Sequence, residues 1–416
     1  MIRRIQIDNF KSLDGFSLPP AGSPPLANFT CLIGANGSGK STVLQALDFL
    51  SHLVRGNFSE WLRERNWTLQ ELSSKLSGTE QIYIDFRVEL QTASTLPVYW
   101  HCTFLPGESR ISNESVAENG QWLLTTWPGP ISLILNDRKS TKEYSGLKYS
   151  GSVLSILDDR DLHPSLQQLK RSLGDSLANF ELVSPFNLKQ DSQPSKAIGA
   201  HGENFPGFLH VMSDGIRDRV YTKMKEFFPF VNAIQREEKI DAQIRLSSFE
   251  KNMRTLDSMP DYQVSDGISS RHFSDGFTRI LAVVAQIESC LTPGPVQTAD
   301  RILLLDEIEN GIHPELMAKF VRYLAEAPVQ IIATTHSPLI LNYLSDKQAE
   351  ESVILLYRNS TGRTRSCRYF DLPSAKKKLG ILGPGEVYLD TSIEQIAREA
   401  EDMERGASAQ ADAVEL

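Results

Sequence analysis

The sequence predicts an α/β fold with a phosphate-binding loop, an antiparallel β-subdomain and a helical insertion. Three observations carry that expectation. The apolar run FTCLI (29–33) leads into GANGSGKST (34–42), after which Leu44, Leu47 and Leu50 recur at a helical spacing. RILLLDE (301–307) reads as a central strand covered on both faces, and VQIIATTHSP (329–338) as a second apolar strand. Residues 82–90, IYIDFRVEL, alternate with period two, as a half-buried strand does.

Composition bounds the possibilities. A chain of 416 residues holds two or three domains, or one large domain with insertions. Its 40 % hydrophobic and 23 % charged residues are those of an ordinary globular protein. No apolar run approaches the ~18–20 residues of a membrane span. The opening MIRRIQIDNF has no apolar core of a signal peptide, so a cytoplasmic protein without membrane contact is expected. Cys31, Cys102, Cys290 and Cys367 show no CxxC spacing and read as small buried apolar residues in a reducing compartment. A net charge of −9 argues against strong non-specific nucleic-acid binding by the whole chain, and leaves room for a local basic groove.

Taken in order, residues 2–10 read as a strand with Ile5 and Ile7 on one side, and LPPAGSPP (18–25) as a loop. VYWHCTFL (98–105), QWLLTTW (121–127) and ISLILN (131–136) are expected to pair with 82–90, with PGESRISNESVAENG (106–120) as a polar turn. From about 152 to 265 the pattern is mixed and mostly helical, without sustained heptads. FSDGFTRILAVVAQIES (273–289) places Phe277, Ile280, Leu281, Val284 and Ala285 on one helical face, with Ser274 or Asp275 as the cap. VILLYRNSTGRTRSCRYFD (353–371) reads as a hairpin, and the small, acidic tail after about 403 as disordered. The expected organisation is therefore a lobe at 1–150, an insertion at 151–268, a second lobe at 269–375 and a C-terminal segment at 376–416.

The chemistry starts at the glycine-rich loop. Gly34, Gly39, Lys40 and Ser41 fill every fixed place of GxxxxGK[ST]. Glycines let backbone N–H groups close around phosphate oxygens, and a helix N-terminus adds positive partial charge. Asn36, Gly37, Ser38, Gly39, Lys40, Ser41 and Thr42 are the expected nucleotide contacts, with Lys40 on the β/γ-phosphates and Ser41 on Mg²⁺. Asp306 is the expected second magnesium group, and Glu307 the base that polarises an attacking water. His336 is placed to hydrogen-bond the γ-phosphate or that water. Ser274, Asp275 and Gly276 open a helix whose N-terminus suits the γ-phosphate held by a second molecule.

With these elements in order, residues 1–50 and 270–375 resemble the ATP-binding-cassette (ABC) class of ATPases, in the branch of the SMC, RecF and overcoming-lysogenization-defect (OLD) families. The phosphate loop resembles Walker A, Asp306–Glu307 Walker B, Ser274–Gly276 the signature, ENGIHP (309–314) the D-loop and His336 the switch histidine. IDNFKSL (7–13) is similar to the opening strand of these families, which makes Lys11 a nucleotide contact. FELVSPFNL (180–188) and IGAHGENFPGFLHVM (198–212) look like stretches of OLD-type ATPases. The glutamine loop departs from the pattern, with Gln167, Gln168 and Gln190 all open.

The resemblance implies a P-loop NTPase of ABC-ATPase head type, with ATP as substrate and Mg²⁺ as cofactor. It implies a head-to-tail homodimer or higher oligomer with ATP between one subunit's phosphate loop and the other's signature. OLD relatives carry a Toprim nuclease, and the residues after His336 show no Glu plus Asp-x-Asp constellation, Glu386 and Asp390 lying too close together. A separate effector, nuclease or toxin, is expected, in antiphage defence or DNA processing. The alternatives are a RecF-like repair ATPase that binds DNA, for which Lys376, Lys377 and Lys378 are a candidate patch, the nucleotide-binding subunit of a transporter, and a scaffold that binds ATP with little turnover.

Overall fold

The structure, a computed structural model, describes residues 1–76, 83–92, 96–127, 130–134, 141–147, 149–181, 185–239, 241–250, 267–291 and 301–414. The chain divides into two compact units, one of Met1–Ala178, Ala299–Leu304 and Gln330–Leu416, the other of Asn179–Thr298 and Leu305–Val329.

The strands of the first half are β1 (Ile2–Asp8), β2 (Phe16–Leu18), β3 (Phe29–Ile33), β4 (Ile84–Gln91), β5 (Pro97–Leu105), β6 (Arg110–Glu118), β7 (Gln121–Thr125), β8 (Ile131–Ile134), β9 (Thr141–Tyr144) and β10 (Leu177–Phe180). Among them lie helices α1 (Lys40–Arg55), α2 (Phe58–Arg65) and α3 (Pro164–Leu169). Then come α4 (Phe205–Val211), α5 (Asp214–Phe227), β11 (Val231–Glu238), β12 (Ile244–Glu250), β13 (Ile268–Ser269), α6 (Asp275–Cys290), β14 (Ile302–Leu305), α7 (Pro314–Ala325) and β15 (Gln330–Thr334). The chain closes with α8 (Pro338–Leu341), α9 (Asp346–Ser352), β16 (Val353–Arg358), β17 (Thr364–Arg368), α10 (Pro373–Leu379), α11 (Pro384–Leu389) and α12 (Ile393–Val414).

The first unit holds an eight-stranded sheet of order β2-β1-β4-β5-β6-β7-β8-β9, whose neighbouring strands pair antiparallel. A six-stranded sheet runs β10-β14-β15-β3-β16-β17, with β15 and β16 parallel to β3 and β17 antiparallel to β16. Every residue of β3 and β15 is buried, which is why both read as unbroken apolar runs. Helix α1 inserts Phe49 into a ring cluster with Phe10, Phe58, Trp61, Phe86 and Phe104. Each such buried aromatic contributes roughly 1.5–3 kcal/mol, and the cluster fixes α1 against the antiparallel sheet. Gln330 of β15 donates to the Ile2 carbonyl at 2.7 Å and accepts from the Ile2 amide at 2.8 Å, joining β1 to the parallel strands.

Two expectations are corrected. The polar turn at 106–120 is instead mostly β6, and its polarity has a cause: Glu114 is fully buried and accepts from Trp100 Nε1 at 3.0 Å and from the Val153 amide at 2.8 Å, with Ser152 Oγ as a third donor. An interior carboxylate made a core strand read as a loop. The insertion, read as mixed and mostly helical, holds helices and one small antiparallel sheet, β11-β12-β13. Of the tail expected to lack structure, residues 404–414 continue α12, where Glu404 accepts from the Tyr357 hydroxyl at 3.0 Å, and residues 415–416 lie outside the described residues. Residues 82, 135 and 136 of the expected strands lie outside the described residues.

Within the second unit, Phe277 of α6 packs on Phe273 and Phe228. The buried Glu288 of α6 accepts from Arg219 at 3.1 Å and from the Tyr323 hydroxyl at 3.1 Å, which ties α5 and α7 to it. Burial, then this carboxylate, pushes the Tyr323 phenol well above its usual range. Among the described residues no helix is long and apolar enough to cross a membrane.

Candidate functional site

In the first unit the chain leaves β3 and turns back through 34–39 before α1. Gly34, Gly37 and Gly39 take φ of 144°, 76° and 107°, a region that side chains rarely enter. A Cβ on Gly34 would lie 2.2 Å from the Leu356 carbonyl oxygen, and one on Gly39 would lie 2.5 Å from Thr364 Oγ1. The loop is thus a backbone cradle that only glycine can line at these points. Lys40 is 5 % exposed, and its ammonium donates to the carbonyls of Gly34 at 2.8 Å and Ala35 at 3.1 Å. Asn36 and Gly37 are exposed at the tip, and Ser41 and Thr42 are partly exposed in the first turn of α1. That turn carries no acidic residue of its own against the positive partial charge of the helix end. Ser38 Oγ is buried and has no hydrogen-bond partner among the described residues. The glycine cradle, the cationic Lys40 and this orphaned hydroxyl fit a phosphate group.

Sequence reading missed what holds this loop from outside. Arg358 Nε donates to the Gly37 carbonyl at 2.9 Å, and Thr364 Oγ1 to the Ser38 carbonyl at 3.0 Å. Burial raises the Tyr388 phenol, opposed by a hydrogen bond with the Gly34 backbone. Their distance along the chain hid them; the polar turn NSTGR inside an apolar hairpin was the available signal.

Lys11 has φ 50° and donates to Gln45 of α1 at 3.0 Å, with its ammonium 3.5 Å from the centroid of the Trp67 ring. His336 is exposed two residues beyond β15. Gln167 is engaged locally, donating to the Leu162 carbonyl at 2.9 Å. Glu386 caps α11 through the Gly383 amide, and Asp390 pairs with Lys378 at 2.9 Å.

In the second unit Asp306 directly follows β14, and its amide donates to the Phe180 carbonyl at 3.1 Å. Glu307 has φ 48°, the left-handed region that costs a bulky residue energy and clusters at functional sites. Its carboxylate accepts from Asn310 Nδ2, within the turn that continues through Gly311 (φ 71°) to His313, the cap of α7. Ser274 caps α6 by accepting from the Phe277 amide at 3.2 Å, which resolves the two capping candidates. Ser274 and Asp275 are exposed, and Asp275 pairs with Lys189 at 2.6 Å. Gly276 is buried, and a Cβ there would lie 2.6 Å from the Gly311 carbonyl oxygen. The unit thus brings the 274–276 helix start against the 309–312 turn. Arg279, 5 % exposed and also missed from sequence, lies beside Gly311; burial lowers its pKa, opposed by Asp275, Glu307 and Glu309.

A mixed α/β fold with a large antiparallel sheet and this glycine loop defines a P-loop NTPase of the AAA/ABC ATPase class. Residues 29–342 match the family described as "AAA domain, putative AbiEii toxin, Type IV TA system", and the chain belongs to that family. It is 22 % identical over 385 residues to an OLD nuclease of Thermus scotoductus (strain ATCC 700910 / SA-01), a match covering 86 % of this chain. The chain spans 64 % of the length of that relative. Its fold is similar to an Smc head bound to the C-winged helix domain of ScpA, with TM-score 0.52 and 13 % identity over 88 % of this chain and 96 % of that one. An SMC head domain from Thermotoga maritima matches with TM-score 0.42 and 12 % identity over 88 % and 97 %. The chain is thus an AAA/ABC-type ATPase related to OLD nuclease and similar in fold to SMC heads.

Proposed function

We propose that this protein binds and hydrolyses ATP and that ATP binding joins two copies head to tail. The observation that carries the reading is the exposed, capped helix start at Ser274–Asp275. Ser274 accepts from the Phe277 amide, Asp275 pairs with Lys189, and the helix end brings its positive partial charge to a surface. In the reading, each phosphate loop binds the triphosphate through Lys40 and its N–H groups, and a second copy's Ser274–Gly276 covers the γ-phosphate. Ser41 and Asp306 would hold Mg²⁺, which would supply charge to offset the phosphates. Glu307 takes a proton from the attacking water, and His336 orients that water. Hydrolysis then releases the pair, so ATP shifts a population between open and closed forms.

The closed form controls an effector, nuclease or toxin, on a separate protein in antiphage defence or DNA processing. The family description and the relation to an OLD nuclease support that reading. Mass measurement of Glu307→Gln with saturating ATP tests the core of it. A stable dimer is expected, because binding is kept and turnover lost; a monomer under those conditions refutes the sandwich. Co-purification with genomic neighbours tests the effector. DNA-stimulated turnover without any such partner favours a repair ATPase instead.

A further inference from the structure

The phosphate loop is gripped from outside by the β16–β17 hairpin. A loop that turns its N–H groups inward onto an anion must turn carbonyls outward, and buried carbonyls need donors. Arg358 and Thr364 are cross-strand partners at the turn of the hairpin. Arg358 reaches the Gly37 carbonyl with Nε at 2.9 Å, while its Nη1 donates to the Gly362 carbonyl of its own turn. Thr364 is fully buried, and its hydroxyl lies 3.0 Å from the Ser38 carbonyl and 2.9 Å from Ser12 Oγ. The Thr364 amide donates to the Ser12 carbonyl at 2.9 Å, so the threonine is fixed on both sides. A Cβ on Gly39 would lie 2.5 Å from the Thr364 hydroxyl oxygen, so the glycine makes room for that side chain.

We propose that Thr364 and Arg358 are positioning residues for nucleotide binding: the hairpin holds the Gly37 and Ser38 carbonyls outward, so that the loop is set for phosphate before the nucleotide arrives. Neither residue carries the proposed chemistry. The inference rests on the ATP-binding reading above. Preorganisation of this kind appears in affinity, because a loose loop must be ordered at the expense of binding.

The test is equilibrium binding of a fluorescent ATP analogue, with and without Mg²⁺, alongside thermal unfolding without nucleotide. Thr364→Val keeps the shape and removes the donor; Kd should rise about tenfold, the effect of one buried hydrogen bond. Thr364→Ser keeps the hydroxyl and should restore affinity to within about threefold of the native protein. KM for ATP should rise more than kcat falls. A wild-type Kd for Thr364→Val, or a serine variant as weak as the valine one, overturns the proposal. If Thr364→Val does not fold, the exposed Arg358 decides: Arg358→Ala should raise Kd several-fold and Arg358→Lys should not restore it, since an ammonium lacks the fork that spans two carbonyls. Unchanged Kd in Arg358→Ala then overturns the proposal. Native protein that binds no ATP refutes the ATP reading itself, a different result from native binding with indifferent variants.

Discussion

The Lys40 ammonium donates to the Gly34 carbonyl at 2.8 Å, closing the phosphate loop on itself. A triphosphate competes with that contact for the charge. Lys40→Ala is therefore expected to weaken ATP binding at least about 100-fold, the loss of two charge-assisted hydrogen bonds. Without nucleotide, circular dichroism should stay native while the unfolding midpoint falls, since the ammonium's bonds to the Gly34 and Ala35 carbonyls are lost. Titration calorimetry checks this; native-like affinity in the variant removes Lys40 from the site.

Gly276 has no space for a methyl group, because the Gly311 carbonyl oxygen would lie 2.6 Å from it. Gly276→Ala gains up to ~1 kcal/mol of helix propensity, and the backbone clash costs about 1–3 kcal/mol. A net loss in urea denaturation is expected, together with a weaker ATP-dependent dimer. Gly215→Ala is the control: its Cβ meets nothing within 4 Å, so it should be neutral or slightly stabilising. Equal behaviour of the two variants would show that α6 and the 309–312 turn are not in close contact.

His336 is exposed, so its removal leaves no cavity. His336→Ala should keep ATP affinity within a few-fold while phosphate release falls about 100-fold or more, the range of a positioned acid–base group. Full turnover in the variant would assign water orientation to another residue.

Burial raises Glu114 above its ordinary 4.5, and hydrogen bonds from Ser152, Val153 and Trp100 oppose the rise. The folded state therefore holds this proton more tightly than the unfolded one. The contribution of Glu114 to stability falls as pH climbs from about 4.5 through the raised folded value. Glu114→Gln removes that slope and leaves the Val153 amide facing an amide donor, at a cost of about 1–3 kcal/mol. Urea denaturation of both proteins from acid to neutral pH measures the difference. Parallel curves would mean that Glu114 has the same affinity for protons folded and unfolded.

Legibility followed the range of the interaction. The phosphate loop, the Ser274 cap, the β16–β17 hairpin and both buried strands are local patterns, and a single stretch of sequence displays each one. The loop's outer contacts join residues more than 300 positions apart, such as Thr364 and Ser38, and no local pattern records them. β6 was hidden by the opposite cause, since its local polarity is satisfied by Trp100, Ser152 and Val153 from elsewhere. The end of α12 was misread because small and acidic residues lower hydropathy without breaking a helix.

The amide exchange between Gln330 and Ile2 sets an order of events during synthesis. The first strand leaves the ribosome with its inward partner still 328 residues away, a wait on the order of tens of seconds at ordinary elongation rates. During that interval the Ile2 backbone depends on β4, Leu90 included, or on a chaperone. A nascent chain arrested before position 330 lacks the side chain that ties β1 to β15, and holds β1 through its pairings with β2 and β4.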